Sequence, residues 1–459
     1  MGHLPSSFIH TLQGLPGFDE QAFLDAHQVT SLPISIRQNP HKNIGKNCFE
    51  NTSSIPWCAD GRYLPQRPSF ILDPLWHAGA YYVQEASSMF LDYVVKHLFE
   101  NNLKEKKVLD LCAAPGGKST LLSALFTDGL VVSNEVIKSR VSILYENIVK
   151  WGLPNTIITH NDAAAFQRLP GFFDLMVIDA PCSGSGLFRR QPEAGNKWSE
   201  QQVIHCSMRQ KKILADAIPA LQDDGVLIYS TCSFSYEENE AIADWLCKEY
   251  ALESLSIPIK NEWGITVSYS KEKQASCYRF YPDKAMGEGF FMAIFRKCSG
   301  NFLHQGNNIS AGQHLYALKD RSPLEQYIDA SFDGAIFLQA DTIRAINHFC
   351  FEQLDTIKQN LYITHAGISC GSLKQKDFIP HHGLAVSTII NKNLSVYAAD
   401  EAVALQYLRK QDIPNISAKG WLPVQYKDCN IGWIKVLPNR INNYYPTEWR
   451  IDRKKHTSE

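Results

Sequence analysis

The chain has 459 residues, of which 44% are hydrophobic and 20% are charged, and its formal net charge is −2. This length is too great for one hydrophobic core and predicts roughly two to four domains. The composition is typical of a globular protein rather than a disordered one, and no apolar stretch approaches the roughly 20 residues of a membrane-spanning helix. The nearly neutral charge excludes binding to nucleic acid through overall basicity, so any such binding must depend on local basic patches.

The cysteines and the first residues indicate where the protein acts. Twelve cysteines are spread along the chain without a Cys-x-x-Cys pair, which favours reduced thiols and argues against a structural zinc site. The start, Met1-Gly2-His3-Leu4, lacks the basic and apolar regions of a secretory signal. We expect a cytoplasmic protein with no metal and no membrane partner, and we take it to be a monomer.

Residues 1–75 and 76–298 are predicted to form two different domains. The first contains scattered prolines and the extended segment Leu32–Arg37, which indicate a small α+β domain. In the second, strand and helix patterns alternate from about Lys107, with helices expected at Lys138–Trp151 and Glu200–Leu221. This alternation predicts an α/β fold with a mostly parallel, doubly wound sheet. The expected strands are Val108–Leu111, Leu130–Ser133, Thr156–Thr159, Leu175–Ile178, Val226–Tyr229 and Phe290–Phe295.

The rest of the chain divides into a linker with an intermediate α+β domain, residues 299–380, and a final domain, residues 381–459. The linker is expected at Ser299–Gly312, which is rich in glycine and asparagine. The final domain ends in the basic tail Arg450–Lys455.

A glycine-containing turn follows the first strand of the α/β domain and reads Cys112-Ala113-Ala114-Pro115-Gly116-Gly117-Lys118. Glycines let the backbone approach a ligand closely, and the N–H groups at the start of the next helix favour an anionic or carboxylate group. The spacing matches neither a Walker loop nor a dinucleotide fingerprint, which argues against an NAD-dependent oxidoreductase. A plain tight turn is the alternative, but the position after the first strand favours a cofactor site.

Two acidic residues follow the next two strands. Glu135 ends the second strand, where carboxylates bind ribose hydroxyls in doubly wound folds; the alternative is a carboxylate that interacts with a helix dipole. Asp162 ends the third strand and is a candidate acceptor for an adenine amino group, with an N-cap as the alternative. The sequence does not separate the two roles of Asp162.

Two cysteines follow the fourth and fifth strands, in Asp179-Ala180-Pro181-Cys182 and in Ser230-Thr231-Cys232-Ser233. Because ligands bind at the carboxyl edge of open α/β sheets, Asp179, Cys182 and Cys232 are expected to face one crevice. A single cysteine at a strand end is usually a small buried hydrophobe. Two at adjacent strand ends, flanked by small polar residues, favour a catalytic role.

These three motifs, in this order, resemble the Sun-type RNA 5-methylcytosine methyltransferases, which use S-adenosylmethionine. The segments Tyr81–Ser88 and Gly287–Phe291 are also similar to blocks of that family, so the resemblance spans about residues 30–297. Near the end of the chain, Gly420–Val424, Ile431–Lys435 and Asn443–Pro446 resemble the RsmF-like bacterial ribosomal RNA subfamily. That subfamily carries a C-terminal PUA-like RNA-binding module, which the resemblance implies for residues 381–459.

The resemblance implies a Rossmann-like methyltransferase and a role for each site residue. Cys112–Lys118 would hold the methionine part of S-adenosylmethionine, Glu135 its ribose and Asp162 its adenine. Asp179 would lie between the cofactor and the base, Cys232 matches the family's nucleophile, and Cys182 matches the cysteine that assists product release. The expected substrate is a cytosine in RNA, most simply 16S ribosomal RNA, which gives RNA or a small ribosomal subunit as partner.

Three other functions are compared with this one. The first is the same chemistry on transfer RNA. The second is DNA cytosine methylation, in which the nucleophile follows proline and would here be Cys182; the Thr231-Cys232 element argues against it. The third is a catalytically silent ribosome-assembly factor, against which the presence of both cysteines and Asp179 weighs.

Overall fold

The computed structural model describes residues 4–42, 49–100, 102–298, 316–318, 320–374 and 377–451. The predicted linker at Ser299–Gly312 and the tail residues 452–455 lie outside the described residues. Within the described ranges, no helix is both long and apolar enough to cross a membrane.

The N-terminal region consists of short helices and a four-stranded antiparallel sheet of order β2-β3-β1-β4. The predicted extended segment Leu32–Arg37 overlaps strand β1. The last strand of the sheet follows residue 75, so this sheet uses residues beyond the predicted domain boundary. The elements are α1 (Ser6–Leu12), α2 (Glu20–Gln28), β1 (Ile34–Gln38), β2 (Ser53–Ile55), β3 (Cys58–Leu64), α3 (Pro74–His77) and β4 (Tyr81–Val83).

The central region is built on one mixed sheet that is covered on both faces. Its elements are α4 (Phe90–Phe99), β5 (Lys107–Asp110), α5 (Gly117–Leu125), β6 (Leu130–Asn134), α6 (Lys138–Trp151), β7 (Thr156–Thr159), β8 (Phe173–Asp179), α7 (Pro192–Gly195), α8 (Glu200–Ala217), β9 (Leu221–Thr231), α9 (Glu240–Glu249), β10 (Leu252–Ser254), β11 (Thr266–Tyr269), β12 (Ser276–Phe280) and β13 (Phe290–Lys297).

The strand order confirms the predicted α/β class and places the crevice. The order is β11-β12-β13-β9-β8-β5-β6-β7, with β10 paired to β13. Strands β7, β6, β5, β8 and β9 are parallel, whereas β13 and the strands beyond it are antiparallel. Chain order reverses between β5 and β8, which is the switch point where ligands bind in open α/β sheets.

Apolar side chains on alternate positions of these strands form a core on each face of the sheet. Leu109 and Val132 belong to one core, which α8 and α9 cover, and Val108 and Val131 belong to the other, which α4 and α5 cover. The helix predicted at Lys138–Trp151 is confirmed. The helix predicted to reach Leu221 ends at Ala217 instead, because Pro219 follows and cannot continue the hydrogen-bond pattern.

The C-terminal third adds two small sheets, of orders β14-β15-β17-β18 and β19-β20-β21-β22. A further strand, β16, pairs antiparallel with β7 and so extends the central sheet. The elements of the C-terminal third are β14 (Gly334–Gln339), β15 (Thr342–Asn347), α10 (His348–Asn360), β16 (Ile363–Ala366), β17 (Ile368–Lys374), β18 (Asp377–Pro380), α11 (His382–Ala385), β19 (Tyr397–Ala398), α12 (Glu401–Leu408), β20 (Gly420–Tyr426), β21 (Cys429–Leu437) and β22 (Arg440–Asn443).

The two ends of the chain share one hydrophobic core, which we call the N–C core. Leu75 and Tyr81 from the N-terminal region pack in one buried cluster with Tyr407, Val424 and Ile434 from the C-terminal region. Burial of such side chains is the main favourable contribution to folding. The C-terminal region is therefore fixed to the N-terminal sheet rather than attached only through a linker.

We predict that Leu75→Ala destabilises the contact between the two ends. Leu75 is 2% exposed, and truncation of a buried leucine leaves a cavity that costs about 2–5 kcal/mol. Thermal unfolding checks this, with Leu338→Ala, at a leucine that is 49% exposed, as the matched control. Equal unfolding midpoints for the two variants would contradict the shared core.

Candidate active site

A pocket of about 190 Å³ lies at the carboxyl ends of β5 and β8. It brings together most of the predicted turn (Cys112, Ala113, Ala114, Pro115, Gly117 and Lys118) with Asp179. Its opposite wall comes from the N-terminal region and was not assigned from sequence, although it lies in the block Tyr81–Ser88 that carries the resemblance. That wall consists of Tyr82, Val83, Gln84, Glu85 and Ser88.

The glycine turn is shaped by its own backbone and by helix α6. Gly116 has a φ of +117°, a conformation that side chains rarely adopt. The Ala114–Pro115 peptide is cis, and the Asn147 amide of α6 donates to the Pro115 carbonyl at 2.8 Å. Helix α5 begins at Gly117, so its first N–H groups lie beside the pocket.

A buried arginine of strand β1 holds this turn from behind. The Arg37 guanidinium donates to Gln84 Oε1 at 2.8 Å, to Thr120 Oγ1 at 2.6 Å and to the Gly117 carbonyl at 3.2 Å. Burial lowers the pKa of Arg37. The Arg37 guanidinium stacks on the Trp151 ring, with its central carbon 4.5 Å from the ring centroid. Sequence reasoning missed Arg37, because nothing local distinguishes it from a surface arginine.

Asp110 is a fully buried carboxylate at the end of β5. Its Oδ2 accepts from the Ser119 hydroxyl at 2.6 Å, whereas its Oδ1 is buried without a hydrogen-bond partner among the described residues. Burial raises the pKa of Asp110 to about 7. Burial likewise raises the pKa of the neighbouring Cys112 thiol, so Cys112 is a neutral wall of the pocket.

The two other predicted acidic residues lie in different environments. Glu135 is buried at the end of β6; its Oε1 accepts from the Ile137 N–H at 2.9 Å, and Oε2 lies 3.4 Å from Arg140. Asp162 is exposed and accepts from the Ala164 N–H at 3.0 Å. It therefore forms the N-cap that the sequence left open as an alternative to adenine binding.

The structure brings the two predicted thiols into contact. Cys182 Sγ and Cys232 Sγ lie 3.2 Å apart, and both cysteines are partly exposed. The Gly186 N–H donates to the Cys232 carbonyl at 2.8 Å, which ties the loop after Cys182 to the loop after β9. A hydrogen bond with Cys232 and burial raise the pKa of Cys182.

Asp179 lies between the turn and the thiols. Its Oδ2 is 2.7 Å from Lys118 Nζ, and its Oδ1 accepts from the Ser230 hydroxyl at 2.7 Å. The Lys118 ammonium also lies over the Phe290 ring, 5.3 Å from its centroid. This ion pair joins the glycine turn to the segment that carries Cys182.

Sequence reasoning also missed Glu238, a fully buried carboxylate beside both cysteine segments. It accepts hydrogen bonds from Ser183 and Ser233, which directly follow the two cysteines. The sequence offers no signal that separates it from its neighbour Glu237, because only the fold decides which of the two is buried.

Three family models match consecutive parts of the chain. Residues 98–296 match 16S rRNA methyltransferase RsmB/F, and residues 4–86 match the N-terminal domain of 16S rRNA methyltransferase RsmF. Residues 394–451 match the methyltransferase RsmF PUA domain.

Related proteins match over nearly the whole length. Ribosomal RNA small subunit methyltransferase F of Vibrio vulnificus is 32% identical, over 98% of this chain and 98% of its own. The protein of the same name from Psychromonas ingrahamii is 30% identical, over 86% of this chain and 85% of its own.

Solved structures from Pyrococcus horikoshii are similar in fold. A methyltransferase homolog protein has a TM-score of 0.51 at 27% identity and covers 64% of this chain and 100% of its own. NSun6 crystallised with SFG has a TM-score of 0.53 and covers 64% of this chain and 99% of its own. At 19% identity, this second likeness shows the fold alone.

We predict that Asp110 makes the stability of the ligand-free protein depend on pH. Its pKa is raised from 3.8 to about 7, so the folded state holds this proton more tightly than the unfolded state does. The free energy of unfolding therefore falls by roughly 4 kcal/mol as the pH rises from 3.8 to about 7. Between pH 5 and pH 8, the thermal unfolding midpoint should change less with pH for Asp110→Asn than for the wild type. The exposed Asp162→Asn is the matched control, and parallel curves for Asp110→Asn and the wild type would contradict the assignment.

Proposed function

This chain belongs to the ribosomal RNA small subunit methyltransferase F family, and from that premise we propose that it transfers a methyl group from S-adenosylmethionine to carbon 5 of a cytosine in 16S ribosomal RNA. One observation carries the proposal for this chain: two free thiols lie 3.2 Å apart, in the segments that follow the pocket residue Asp179 and its hydrogen-bond partner Ser230. Cytosine C5 methylation needs a thiol that bonds to the base.

Two buried acceptors at the ends of β5 and β6 fit S-adenosylmethionine. Asp110 Oδ1 belongs to a residue that lines the pocket, and Glu135 Oε2 lies 3.4 Å from Arg140. None of the described residues donates a hydrogen bond to either oxygen, and the ligand carries an amino group and ribose hydroxyls that can donate. When bound, S-adenosylmethionine supplies a methyl group on a positively charged sulfonium.

We propose a role for each residue that was predicted to bind the cofactor. We assign the methionine part to the turn Cys112–Lys118 and the ribose to Glu135. We assign the adenine end to Asp162, which is exposed and also accepts the N-cap bond from the Ala164 N–H. Asp179, paired with Lys118, is assigned to the region between the cofactor and the base.

The thiols supply the chemistry that cytosine lacks. Carbon 5 is a poor nucleophile, but bond formation between the Cys232 thiolate and carbon 6 shifts an electron pair to carbon 5. After methylation, a base removes the proton from carbon 5, and the electron pair of the broken carbon–hydrogen bond re-forms the double bond as the carbon–sulfur bond breaks and releases Cys232. We assign Cys232 as the nucleophile and Cys182 as the group that assists release.

The RNA must present an unstacked base to this site. A groove of about 820 Å³ adjoins the cofactor pocket, because Gln84 and Glu85 line both. Arg67 and Arg190 line this groove. Arg190 is paired with Glu288 at 3.1 Å, so the exposed Arg67 is the positive charge that we expect a backbone phosphate to meet there. We assign the groove to RNA that flanks the target base.

We further propose that the enzyme acts in the cytoplasm and as a monomer.

We predict opposite effects from loss of the two cysteines. Cys232→Ala removes the bond to carbon 6 and should lower methyl transfer by at least about 1,000-fold. Cys182→Ala leaves that bond intact and should accumulate a covalent protein–RNA adduct that is visible on a denaturing gel. Cys298→Ala, at an exposed cysteine, is the matched control. An adduct that depends on Cys182 and survives Cys232→Ala would reverse the assignment.

Bisulfite mapping of 5-methylcytosine in total RNA tests the substrate. We expect one or more cytosines in 16S ribosomal RNA to lose the modification when the gene is deleted and to regain it when the wild-type gene is restored. Loss confined to transfer RNA would contradict the ribosomal substrate. No change in any RNA would favour a catalytically silent assembly factor.

A further inference from the structure

Glu238 is a carboxylate with 0% exposure, six positions after Cys232. Burial of an ionised group is costly unless several hydrogen bonds compensate for the lost water. Its place beside the segments that carry Cys182 and Cys232 therefore calls for a physical reason.

The Glu238 carboxylate is the common acceptor for the residues that follow the two cysteines. Oε1 accepts from the Ser183 N–H at 2.8 Å and from the Gln210 amide at 3.2 Å. Oε2 accepts from the Ser183 and Ser233 hydroxyls, each at 2.5 Å. Ser183 adjoins Cys182 and Ser233 adjoins Cys232, so this one carboxylate links both segments.

The donors around Glu238 favour its ionised form. A backbone N–H and an amide N–H can only donate, and both point at Oε1. Burial raises the pKa of Glu238, and its hydrogen bonds with Ser183, Ser233 and Gln210 reduce but do not reverse that rise. The donor-only groups at Oε1, rather than the pKa, are the observation that favours a negative charge beside the loop that carries Cys182.

The negative charge of Glu238 disfavours the anionic form of Cys182. The pKa of Cys182 is raised by its hydrogen bond with Cys232, by burial, and by the negative charges of Cys232 and Glu238. At a separation of 3.2 Å, a protonated Cys182 can donate its S–H to a Cys232 thiolate. A hydrogen bond to an ionised acceptor is stronger than a neutral one.

On the premise of the methyl-transfer function above, we propose that Glu238 is a positioning residue: its carboxylate fixes the two thiols against each other and assigns the shared proton to Cys182, so that Cys232 is the thiolate that attacks the base. Glu238 acts through the thiols and touches neither cofactor nor RNA in this assignment.

The other titratable groups packed around this site do not replace Glu238. Helix α8 presents Cys206, whose pKa burial raises, and Arg209, whose guanidinium lies 3.6 Å from that sulfur. Strand β9 presents Tyr229, whose pKa burial also raises, and its hydroxyl donates to the Glu238 carbonyl. Asp179 on β8 is paired with Lys118. Asp179 also links the two segments, through the Ser230 hydroxyl. Among these groups, Glu238 is the carboxylate that accepts from the residue directly after each cysteine.

Alkylation of the full-length protein without RNA tests the proposal. Iodoacetamide reacts with thiolates, so peptide mass spectrometry between pH 6 and pH 9 reports the ionisation of each cysteine. In the wild type we expect Cys232 to react at least about tenfold faster than Cys182. Glu238→Gln retains the shape but removes the charge, and should reduce this preference at least about threefold. Glu238→Asp retains the charge and should keep Cys232 the faster of the two.

The exposed neighbour offers the control, since Glu237→Gln removes the same charge from the same segment and should leave the preference unchanged. If Glu238→Gln does not fold, Ser233→Ala, which removes one donor to the carboxylate, should also reduce the preference. If folded Glu238→Gln shows the same preference for alkylation of Cys232 over Cys182 as Glu237→Gln, the proposed role of Glu238 is wrong. Because this assay needs no RNA, a failure of RNA methylation with normal alkylation would contradict only the proposed function.

Discussion

The parallel pairing of β8 with β9 is the constraint on which the site depends. Asp179 stands opposite Ser230 in this register, so the two strands end together and the cysteines that follow them leave the sheet at the same edge. Their loops can meet only through a close backbone approach: a Cβ on Gly186 would lie 2.7 Å from the Cys232 carbonyl oxygen and 2.5 Å from that of Gly289. A slip of one residue would turn one cysteine away from the other.

The carboxylates near the pocket differ in the number of hydrogen-bond donors that compensate for their burial. Both oxygens of Glu238 are occupied by donors from the chain, which makes it a support. Asp110 has one donor and one buried oxygen without a partner among the described residues, which is why we propose that it binds a ligand. Asp179 lies between these cases, because its partners are a lysine and a hydroxyl group.

The sequence predicts the parts of this site that depend on local order. The positions of Cys182, Cys232 and the glycine turn follow from strands that end at one edge of a parallel sheet, and no tertiary detail is needed. Arg37 and Glu238 could not be predicted in the same way, because their roles come from contacts with residues that are distant in sequence or from a burial that only the fold decides. The added strand β16 is likewise invisible locally, since a short apolar segment does not specify which sheet edge it joins.

Strand β4 connects the cofactor pocket to the C-terminal region. Successive side chains of a strand point to opposite sides: Tyr81 packs in the N–C core, whereas Tyr82 and, just beyond the strand, Gln84 line the pocket. Arg37 on the neighbouring strand β1 bonds to Gln84 and to the glycine turn. The pocket wall is thus held between the turn on one side and the C-terminal region on the other. The domain that matches a PUA module therefore supports the shape of the pocket that we assign to the cofactor, in addition to any contact it makes with RNA.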